Sequence, residues 1–354
     1  MDFGVSFLPD VGPAQLDPRV YYDNVLEISR AADDLGLRYV KMTEHFLHPY
    51  GGYCPSPFMF LSAVAAQTRR IRLMTGCTLP NFHHPIKLAS YAAMVDALSH
   101  GRLDVGFARA YLPYEFDAFG ISMDGSRTRF ADTVRAVVGL WEAERFSMSS
   151  EFFDIADATI LPRPVQPHGI PTLIAAVRTP ESFATIGADG HGLLVTPGGL
   201  VAPVELIRRY RESFVARRPA VPKPRVVISL PLLIDADSDR AADLADACLG
   251  EYVRVWSDAV TAWDDRSSRD YQSYSGMAQF LRAMTGTELR LTGSAIVGNP
   301  GEVVDAIVAL DEKFDGLDTV LWQLDYGNLP REAALTSLRH LVDDVVPKLP
   351  ARLR

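Results

Sequence analysis

Short apolar runs alternate with amphipathic stretches along almost the whole chain, and this alternation limits the possible folds more than any other feature. The runs are four to nine residues long, and most are followed by a stretch with apolar residues at helical spacing. Glycines such as Gly36 and Gly101 follow some of the helical stretches and indicate where they stop. The pattern predicts eight strands, at residues 3–8, 39–43, 71–79, 103–108, 172–176, 192–195, 226–234 and 319–323.

Strands that alternate with helices form parallel sheets, because each helix returns the chain across the sheet in a right-handed crossover. Eight such units in 354 residues predict one α/β domain, a closed (β/α)8 TIM barrel over residues 1–354. An open doubly wound sheet is the alternative that the pattern leaves.

Two segments exceed what a minimal barrel needs. Residues 147–171 follow the fourth strand and its helix, carry four prolines, and include an apolar stretch at 152–155 that could form an inserted hairpin strand. Residues 256–292 follow the seventh strand and a helix predicted at 238–255. A polar insertion of this length indicates a mobile lid or binding loop, with a simple disordered loop as the alternative.

Charge and cysteine content exclude several classes of protein. Net charge is −9 without any run of Lys or Arg, which argues against nucleic acid or an anionic membrane as partner. The longest apolar run, residues 226–234, is too short to span a bilayer. Three widely spaced cysteines and no basic N-terminal region favour a cytoplasmic protein without disulfides.

Familiar phosphate and nucleophile motifs are missing from the sequence. No GxGxxG or GxxxxGK[ST] loop follows a strand, which argues against a classical dinucleotide fold and an NTPase. A GxSxG elbow is also missing, which argues against an α/β-hydrolase.

In a TIM barrel the active site lies at the C-terminal ends of the strands. The second strand ends at Glu44-His45, which suits proton transfer, with His45 as the acid or base. The alternative is a histidine that packs in the core or caps a helix.

Gly76 at the end of the third strand indicates a bulge or a close approach to a ligand. Cys77 beside it is a redox candidate, although a small buried residue is the simpler interpretation. His83-His84 lack a third ligand at useful spacing, so we expect no metal.

Two positions indicate binding of an anion. Arg109 ends a nearly apolar fourth strand, where a guanidinium needs a phosphate or a carboxylate such as Glu115; a structural salt bridge is the alternative. Thr179-Pro180 is a good helix start, and free N–H groups there form a phosphate cradle to which Arg178 adds charge.

The ordered set of these residues resembles the bacterial luciferase-like flavin monooxygenases. Residues 96–102 read Asp-Ala-Leu-Ser-His-Gly-Arg, similar to the D-x-L-S-x-G-R motif of that family, and the next strand ends near Arg109. The other matching positions are Glu44-His45, Thr75-Gly76, His84-Pro85, Glu115-Phe116, Phe119-Gly120, Arg127, Leu140-Trp141, residues 298–302 and Val346-Pro347.

The resemblance implies a dimeric TIM barrel that binds reduced FMN, supplied by a separate flavin reductase, in its C-terminal mouth. O2 is then the co-substrate, and a small organic substrate undergoes epoxidation, hydroxylation or Baeyer–Villiger insertion. A tailoring step in secondary metabolism is one hypothesis for its role. The segment 256–292 matches the mobile loop of the family, which closes over the flavin.

The resemblance also implies roles for single residues. A non-prolyl cis peptide at Gly76-Cys77 faces the flavin ring, His45 is catalytic, and Glu44 orients His45 or the ring. Arg109 and a turn from Val177 to Ser182 hold the phosphate, although Val177-Arg178 replace the usual small polar residues. Ala108 stands where the luciferases proper have a reactive cysteine. The cofactor ligands expected from this turn are Val177, Arg178, Thr179 and Ser182.

Four aromatic residues are candidates for the apolar walls of the substrate pocket, with core packing as the alternative for each: Phe46, Phe82, Tyr111 and Trp322. Two other functions stay open. One is a deazaflavin-dependent enzyme that transfers hydride, which needs more basic residues for a longer anionic cofactor. The other is a non-catalytic flavin-binding subunit, against which His45 and the long loop argue.

Overall fold

The computed structural model describes residues 1–195, 204–274 and 276–354. Eight parallel strands in this part of the chain close into a barrel, and three further strands lie outside it. The strands are β1 (Asp2–Phe7), β2 (Tyr39–Met42), β3 (Arg72–Thr78), β4 (Leu103–Phe107), β5 (Phe146–Ser149), β6 (Asp154–Ala158), β7 (Thr172–Ala175), β8 (Gly192–Val195), β9 (Val226–Ile234), β10 (Ile296–Gly298) and β11 (Thr319–Gln323).

The barrel runs β1-β2-β3-β4-β7-β8-β9-β11 and returns to β1. Every neighbouring pair in this ring is parallel. The predicted TIM barrel is therefore confirmed with all eight strands, and the open sheet is excluded, because β8 and β9 join the two halves. The short β10, which pairs with the end of β9, was not predicted.

The helices pack around the barrel, and several start at a proline whose fixed φ suits the first turn. They are α1 (Pro18–Asp34), α2 (Pro57–Gln67), α3 (Pro85–Leu98), α4 (Pro113–Phe119), α5 (Ser126–Glu142), α6 (Pro180–Ala188), α7 (Val204–Ser213), α8 (Ser238–Ala259), α9 (Met277–Arg282), α10 (Gly286–Leu291), α11 (Pro300–Lys313) and α12 (Arg331–His340). None of the helices in the described residues has both the length and the apolar character needed to cross a bilayer.

Both predicted insertions exist, with corrections to their detail. β5 and β6 form the hairpin within the first insertion, and its second strand covers Asp154–Ala158 rather than residues 152–155. The helix predicted to end at residue 255 continues to Ala259, because Trp256 and Ala259 extend its buried face. The segment after it contains two short 3-10 helices, Thr261–Trp263 and Arg269–Tyr274, followed by α9 and α10.

Side chains of the strands form two separate apolar cores. The outer core lies between the strands and the helices, and the inner core fills the barrel. The inner core consists of Tyr39, Met74, Cys77, Leu173, Leu194, Val227 and Leu321. Because side chains alternate along a strand, the residues two positions after Tyr39, Val227 and Leu321 also face the interior.

A buried charge cluster closes the N-terminal end of the barrel. The Asp104 carboxylate is fully buried and accepts hydrogen bonds from Arg72 Nε at 3.0 Å and from Arg225 Nη1 at 2.7 Å. Two guanidinium groups around one carboxylate compensate the cost of burying these charges. The opposite, C-terminal end of the barrel is left for the site.

Candidate active site at the C-terminal mouth

A histidine and a carboxylate from different loops meet at the mouth of the barrel. His45 follows β2 and Glu115 lies in the first turn of α4; both are buried. His45 Nδ1 lies 3.0 Å from Glu115 Oε1, which also accepts the backbone N–H of Phe46 at 2.8 Å. A carboxylate at one ring nitrogen fixes the orientation of an imidazole and leaves Nε2 for proton transfer.

Glu44 is occupied elsewhere, so it does not orient His45. Its Oε2 accepts hydrogen bonds from Thr78 Oγ1 at 2.7 Å and from the Leu79 N–H at 2.6 Å. Its Oε1 lies 2.8 Å from His83 Nε2. The Glu44 carboxylate therefore connects the end of β2 to the end of β3 and shapes the rim of the mouth. The resemblance implies that Glu44 orients His45 or the flavin ring. The first of these is wrong, because Glu115 holds the imidazole, and the second stays a prediction.

The end of β3 contains the expected bulge and cis bond. The register between β3 and β4 shifts between Thr75 and Thr78, and the Gly76-Cys77 peptide is cis. Burial raises the pKa of the Cys77 thiol to about 12, although the Lys41 charge opposes the rise. Cys77 is thus a neutral thiol near pH 7, which favours the interpretation as a small buried residue over a redox role.

Arg109 does not pair with Glu115, which corrects the expectation from the sequence. Its Nη2 donates to the backbone carbonyl of Asp270 at 2.9 Å, and its Nη1 lies 4.0 Å from the Asp270 carboxylate. The guanidinium carbon stands 4.0 Å from the centre of the Tyr271 ring, a cation–π contact. Asp270 and Tyr271 belong to the 256–292 insertion, and no sequence signal marked them as partners of Arg109.

Three arginines gather on one side of the mouth, around Tyr274. Arg109 and Arg127 both contact Asp270, and the Tyr271 ring under Arg109 lies 5.4 Å from the Tyr274 ring. Burial raises the pKa of the Tyr274 phenol, and the charges of Arg109, Arg178 and Arg127 oppose that rise. Arg127 Nη1 lies 3.5 Å from Ser182 Oγ on α6. Arg127 matched a family position in the sequence, but the sequence reasoning gave it no role.

The predicted phosphate turn lies at the start of α6. Thr179 occupies the N-cap position and Pro180 the first turn, as predicted, but the Thr179 side chain makes no capping hydrogen bond. Val177, Thr179 and Ser182 are partly buried, and Arg178 is exposed. Pro180 has no N–H and the Ser182 N–H donates to the Thr179 carbonyl at 2.9 Å, so the first turn of α6 leaves the Glu181 N–H for an anion.

Aromatic side chains line the mouth beside His45. Phe46 and Phe82 contact each other with ring centres 6.0 Å apart, and both contact Phe119. The Tyr111 ring lies 6.0 Å from the His45 ring and 5.7 Å from the Tyr274 ring, so Tyr111 connects the histidine to the arginine cluster.

Trp322 lies outside the mouth, contrary to its prediction as a pocket wall. It is fully buried in the outer core, where its ring stacks on Phe3 at 6.2 Å. Its neighbours in register are Val5 on β1 and Leu230 on β9, which also face outward. The residue beside it on β11, Gln323, faces the interior instead.

Comparison with known proteins agrees with this geometry. A sequence model of the luciferase-like monooxygenase family matches residues 1–315. The chain belongs to this family. It is 26% identical, over 92% of its own length and 89% of the relative, to the oxygenase component of flavin-dependent trigonelline monooxygenase from Acinetobacter baylyi.

Two solved structures of similar proteins have the same fold. Monooxygenase RslO1 from Streptomyces bottropensis is 35% identical with a TM-score of 0.84, over 98% of this chain and 99% of that one. The oxygenating constituent of 3,6-diketocamphane monooxygenase from Pseudomonas putida, in complex with FMN, is 17% identical with a TM-score of 0.77, over 99% of each chain. F420-dependent enzymes also occur among the relatives of this luciferase-like chain.

The side chains at the mouth fit a flavin that carries a phosphate. Arg109 Nη1 is buried and has no hydrogen-bond partner within the described residues. Arg127, Arg178 and the start of α6 lie close by and supply further donors for a dianion. The other side of the mouth, around Tyr111 and Phe46, offers aromatic surface for a flat ring or an apolar substrate.

Proposed function

We propose that this luciferase-like chain is a monooxygenase that uses reduced FMN and O2 to oxygenate a small organic substrate, by epoxidation, hydroxylation or Baeyer–Villiger insertion. The observation that carries the proposal is that His45 and the arginines lie at one barrel mouth, with Tyr111 between the His45 ring and the Tyr274 ring. A flavin bound there places its phosphate at the arginines and its ring toward His45.

The flavin, when bound, supplies the oxygen chemistry, and the protein supplies binding, orientation and a dry environment. Arg109, Arg127 and the turn of Val177, Arg178, Thr179 and Ser182 hold the phosphate. The Gly76-Cys77 peptide forms the surface behind the ring.

His45 handles the protons of the reaction in this proposal. Its Nδ1 is held by Glu115, so its Nε2 can donate or accept a proton at the mouth. A general acid or base in this position contributes about 10²- to 10⁴-fold to the rate. Phe46, Phe82 and Tyr111 form apolar walls that hold the substrate and exclude water.

The 256–292 insertion covers the mouth. Trp256 Nε1 donates to Tyr111 Oη at 3.1 Å, and Trp263 Nε1 donates to the Tyr111 carbonyl at 3.0 Å. Arg266 pairs with Asp117 on α4. Because these contacts join the insertion to the residues beside His45, the insertion can act as a lid that shields the site from water.

Three further parts of the proposal concern partners and context. The chain acts as a cytoplasmic homodimer, a separate flavin reductase supplies its reduced FMN, and the reaction is a tailoring step in secondary metabolism. Size measurement in solution and activity with and without an added reductase test the first two directly.

A hydride-transferring enzyme that uses a deazaflavin is the second candidate, because F420-dependent relatives occur in the comparisons. Such an enzyme needs no O2 and binds a cofactor with a longer anionic tail. The cationic groups that we identify gather at one end of the mouth, which suits a single phosphate better than an extended tail.

Anaerobic titration with reduced FMN and, separately, with reduced F420 distinguishes the two candidates. We expect tight binding of reduced FMN, followed after addition of ¹⁸O2 by one labelled oxygen atom in a product from a panel of aldehyde, ketone and aromatic substrates. Preference for reduced F420 and turnover without O2 would establish the second candidate. Flavin binding without turnover of any substrate, by the chain and reductase alone, would indicate a non-catalytic subunit. The R109M variant is the control, since it lacks a phosphate ligand and should lose affinity for FMN.

A further inference from the structure

The uppermost layer of the barrel interior is polar. Interiors of TIM barrels are usually filled by bulky branched side chains. Here the inner core has Tyr39, Val227 and Leu321 in its middle, and the inward-facing positions that follow them are Lys41, Ser229 and Gln323. These polar side chains, together with Ser6 on β1, form the floor of the mouth.

Lys41 is the cation in this floor. Its side chain is buried, and its Nζ donates a hydrogen bond to Ser6 Oγ at 2.9 Å. Ser229 Oγ lies 3.1 Å from the same Ser6 oxygen, although β9 and β1 are not neighbouring strands, so the three side chains meet inside the barrel. The aliphatic stem of Lys41 lies against Gly76, where a Cβ atom would come within 2.0 Å of Lys41 Cε.

Little in the barrel compensates the Lys41 charge. An ammonium group has three donors, and Ser6 accepts one of them. No carboxylate among the described residues lies within salt-bridge distance of its Nζ. The nearby Asp325 is engaged by the Leu8 N–H at 3.1 Å and by Tyr21 Oη at 3.0 Å. Burial lowers the pKa of Lys41 to about 8 and the Asp325 carboxylate opposes the fall, so the ammonium form predominates at pH 7.

A buried cation with incomplete partners destabilises the folded state unless an anion approaches it. A structural link between β1 and β2 does not need a charge, because a neutral side chain could donate to Ser6 equally well. The mouth lies above this floor, and Lys41 packs against Gly76, which belongs to the segment that we propose behind the flavin ring.

We propose that Lys41 is a positioning residue whose ammonium stabilises the negative charge of the reduced flavin ring and thereby favours reduced over oxidised flavin. The inference rests on the proposed function, since it takes the ligand of the mouth to be a flavin. A fixed charge beside the ring is one of the means by which a protein sets flavin electronics. The effect appears in the ratio of two affinities, which a purely structural side chain would not alter.

The test compares the dissociation constants of oxidised and reduced FMN, measured anaerobically at pH 7, for the wild-type chain, K41M and S6A. We expect K41M to weaken reduced FMN about tenfold more than oxidised FMN, which corresponds to a midpoint potential lower by about 30 mV for two electrons. S6A removes the hydrogen bond but keeps the charge, and it should retain a ratio close to that of the wild type. K41Q serves as the second neutral variant if K41M folds poorly.

The outcomes separate this inference from the proposed function. An unchanged ratio in both K41M and K41Q, with FMN still bound, overturns the role of Lys41 and leaves the proposed function standing. Failure of the wild-type chain to bind FMN in either state overturns both. An equal change of the ratio in S6A and K41M assigns the effect to the hydrogen bond and rejects the charge.

Discussion

The imidazole of His45 is held by Glu115, a residue 70 positions further along the chain, with 3.0 Å between Nδ1 and Oε1. Both side chains are nearly inaccessible to solvent, and the same carboxylate oxygen accepts the N–H of Phe46. The backbone contact fixes the carboxylate against the loop that carries His45. The direction of the ring is therefore set by two elements of the barrel mouth, β2 and α4.

Replacement of His45 by glutamine should lower the turnover rate by about 100-fold or more, because the proton-transferring group is lost. Its affinity for reduced FMN should stay within about twofold of wild type, since the phosphate ligands are untouched. E115Q should lower the turnover rate by less than H45Q does, because the amide of glutamine still holds the His45 ring through a neutral contact. Steady-state oxygenation rates measure the turnover, and anaerobic titrations measure the affinity for reduced FMN. H168Q is the matched control, because His168 is exposed. Full activity of H45Q would reject the catalytic role.

Removal of the Asp270 charge should strengthen the binding of phosphate. The Asp270 carboxylate accepts the backbone N–H of Arg127 at 3.0 Å and lies 4.0 Å from Arg109 Nη1, so its negative charge lies beside two residues that we propose for the flavin phosphate. D270N should bind inorganic phosphate up to about tenfold more tightly, or about 1.4 kcal/mol, by calorimetry. D264N is the control, because Asp264 lies in the same insertion but pairs with Arg282. Weaker phosphate binding by D270N would show that Asp270 supports the site and does not compete for it.

A methyl group at position 76 should destabilise the fold. The added Cβ of G76A would lie 2.0 Å from Lys41 Cε and 2.3 Å from Cγ, inside the packed barrel. Overpacking of this kind costs about 1–3 kcal/mol, measured as the free energy of unfolding in urea. The cost should shrink in a K41A background, which makes room for the methyl group. Additive effects of the two substitutions would place the strain elsewhere.

G250A is the matched control for that experiment. Gly250 lies within α8, and a Cβ there meets no atom within 4 Å. Alanine is favoured over glycine inside a helix by about 1 kcal/mol, so this variant should gain stability.

Stability should fall as the pH drops below the ordinary pKa of histidine, because of His191. Burial, with a contribution from Arg218, lowers the pKa of His191 from 6.5 to about 3. The folded state therefore keeps His191 neutral while the unfolded chain takes up a proton, so stabilisation is complete above pH 6.5 and decreases between pH 6.5 and 3. Between pH 7.5 and pH 5.5, protonation of His191 in the unfolded chain should lower the free energy of unfolding by about 1.4 kcal/mol.

Urea denaturation of the wild type and H191Q at the two pH values measures how much of the change in free energy of unfolding comes from His191. H191Q should reduce the pH dependence, while H168Q at an exposed position should leave it unchanged. The same pH dependence in H191Q and wild type would assign the effect to another group.

Some parts of the site could be read from the sequence because they depend on local order along the chain. Glu44-His45 and Arg109 follow strands, Gly76 lies near the end of β3, and the C-terminal ends of parallel strands meet at one mouth. The start of α6 follows from Thr179-Pro180, since the chemistry of a helix start lies within a few residues. Glu115 was wrong as the carboxylate beside Arg109 for the opposite reason: Asp270 lies in an insertion whose path over the barrel no local pattern encodes.

The sequence by itself determined the eight strand and helix units and their order, because the spacing of apolar residues and the starts of helices are local properties. The tertiary structure decided that the sheet closes, because β8 pairs with β9 and excludes the open sheet. Only the tertiary structure decided which face of each strand looks inward. Strands of a parallel barrel are buried on both faces, so their sequences do not alternate in polarity. Trp322 was therefore misplaced, and Lys41, next to the apolar Val40 and Met42, gave no sign that it reaches the floor of the mouth. Pairs such as His45 and Glu115 likewise exist only because closure of the barrel brings distant loops together.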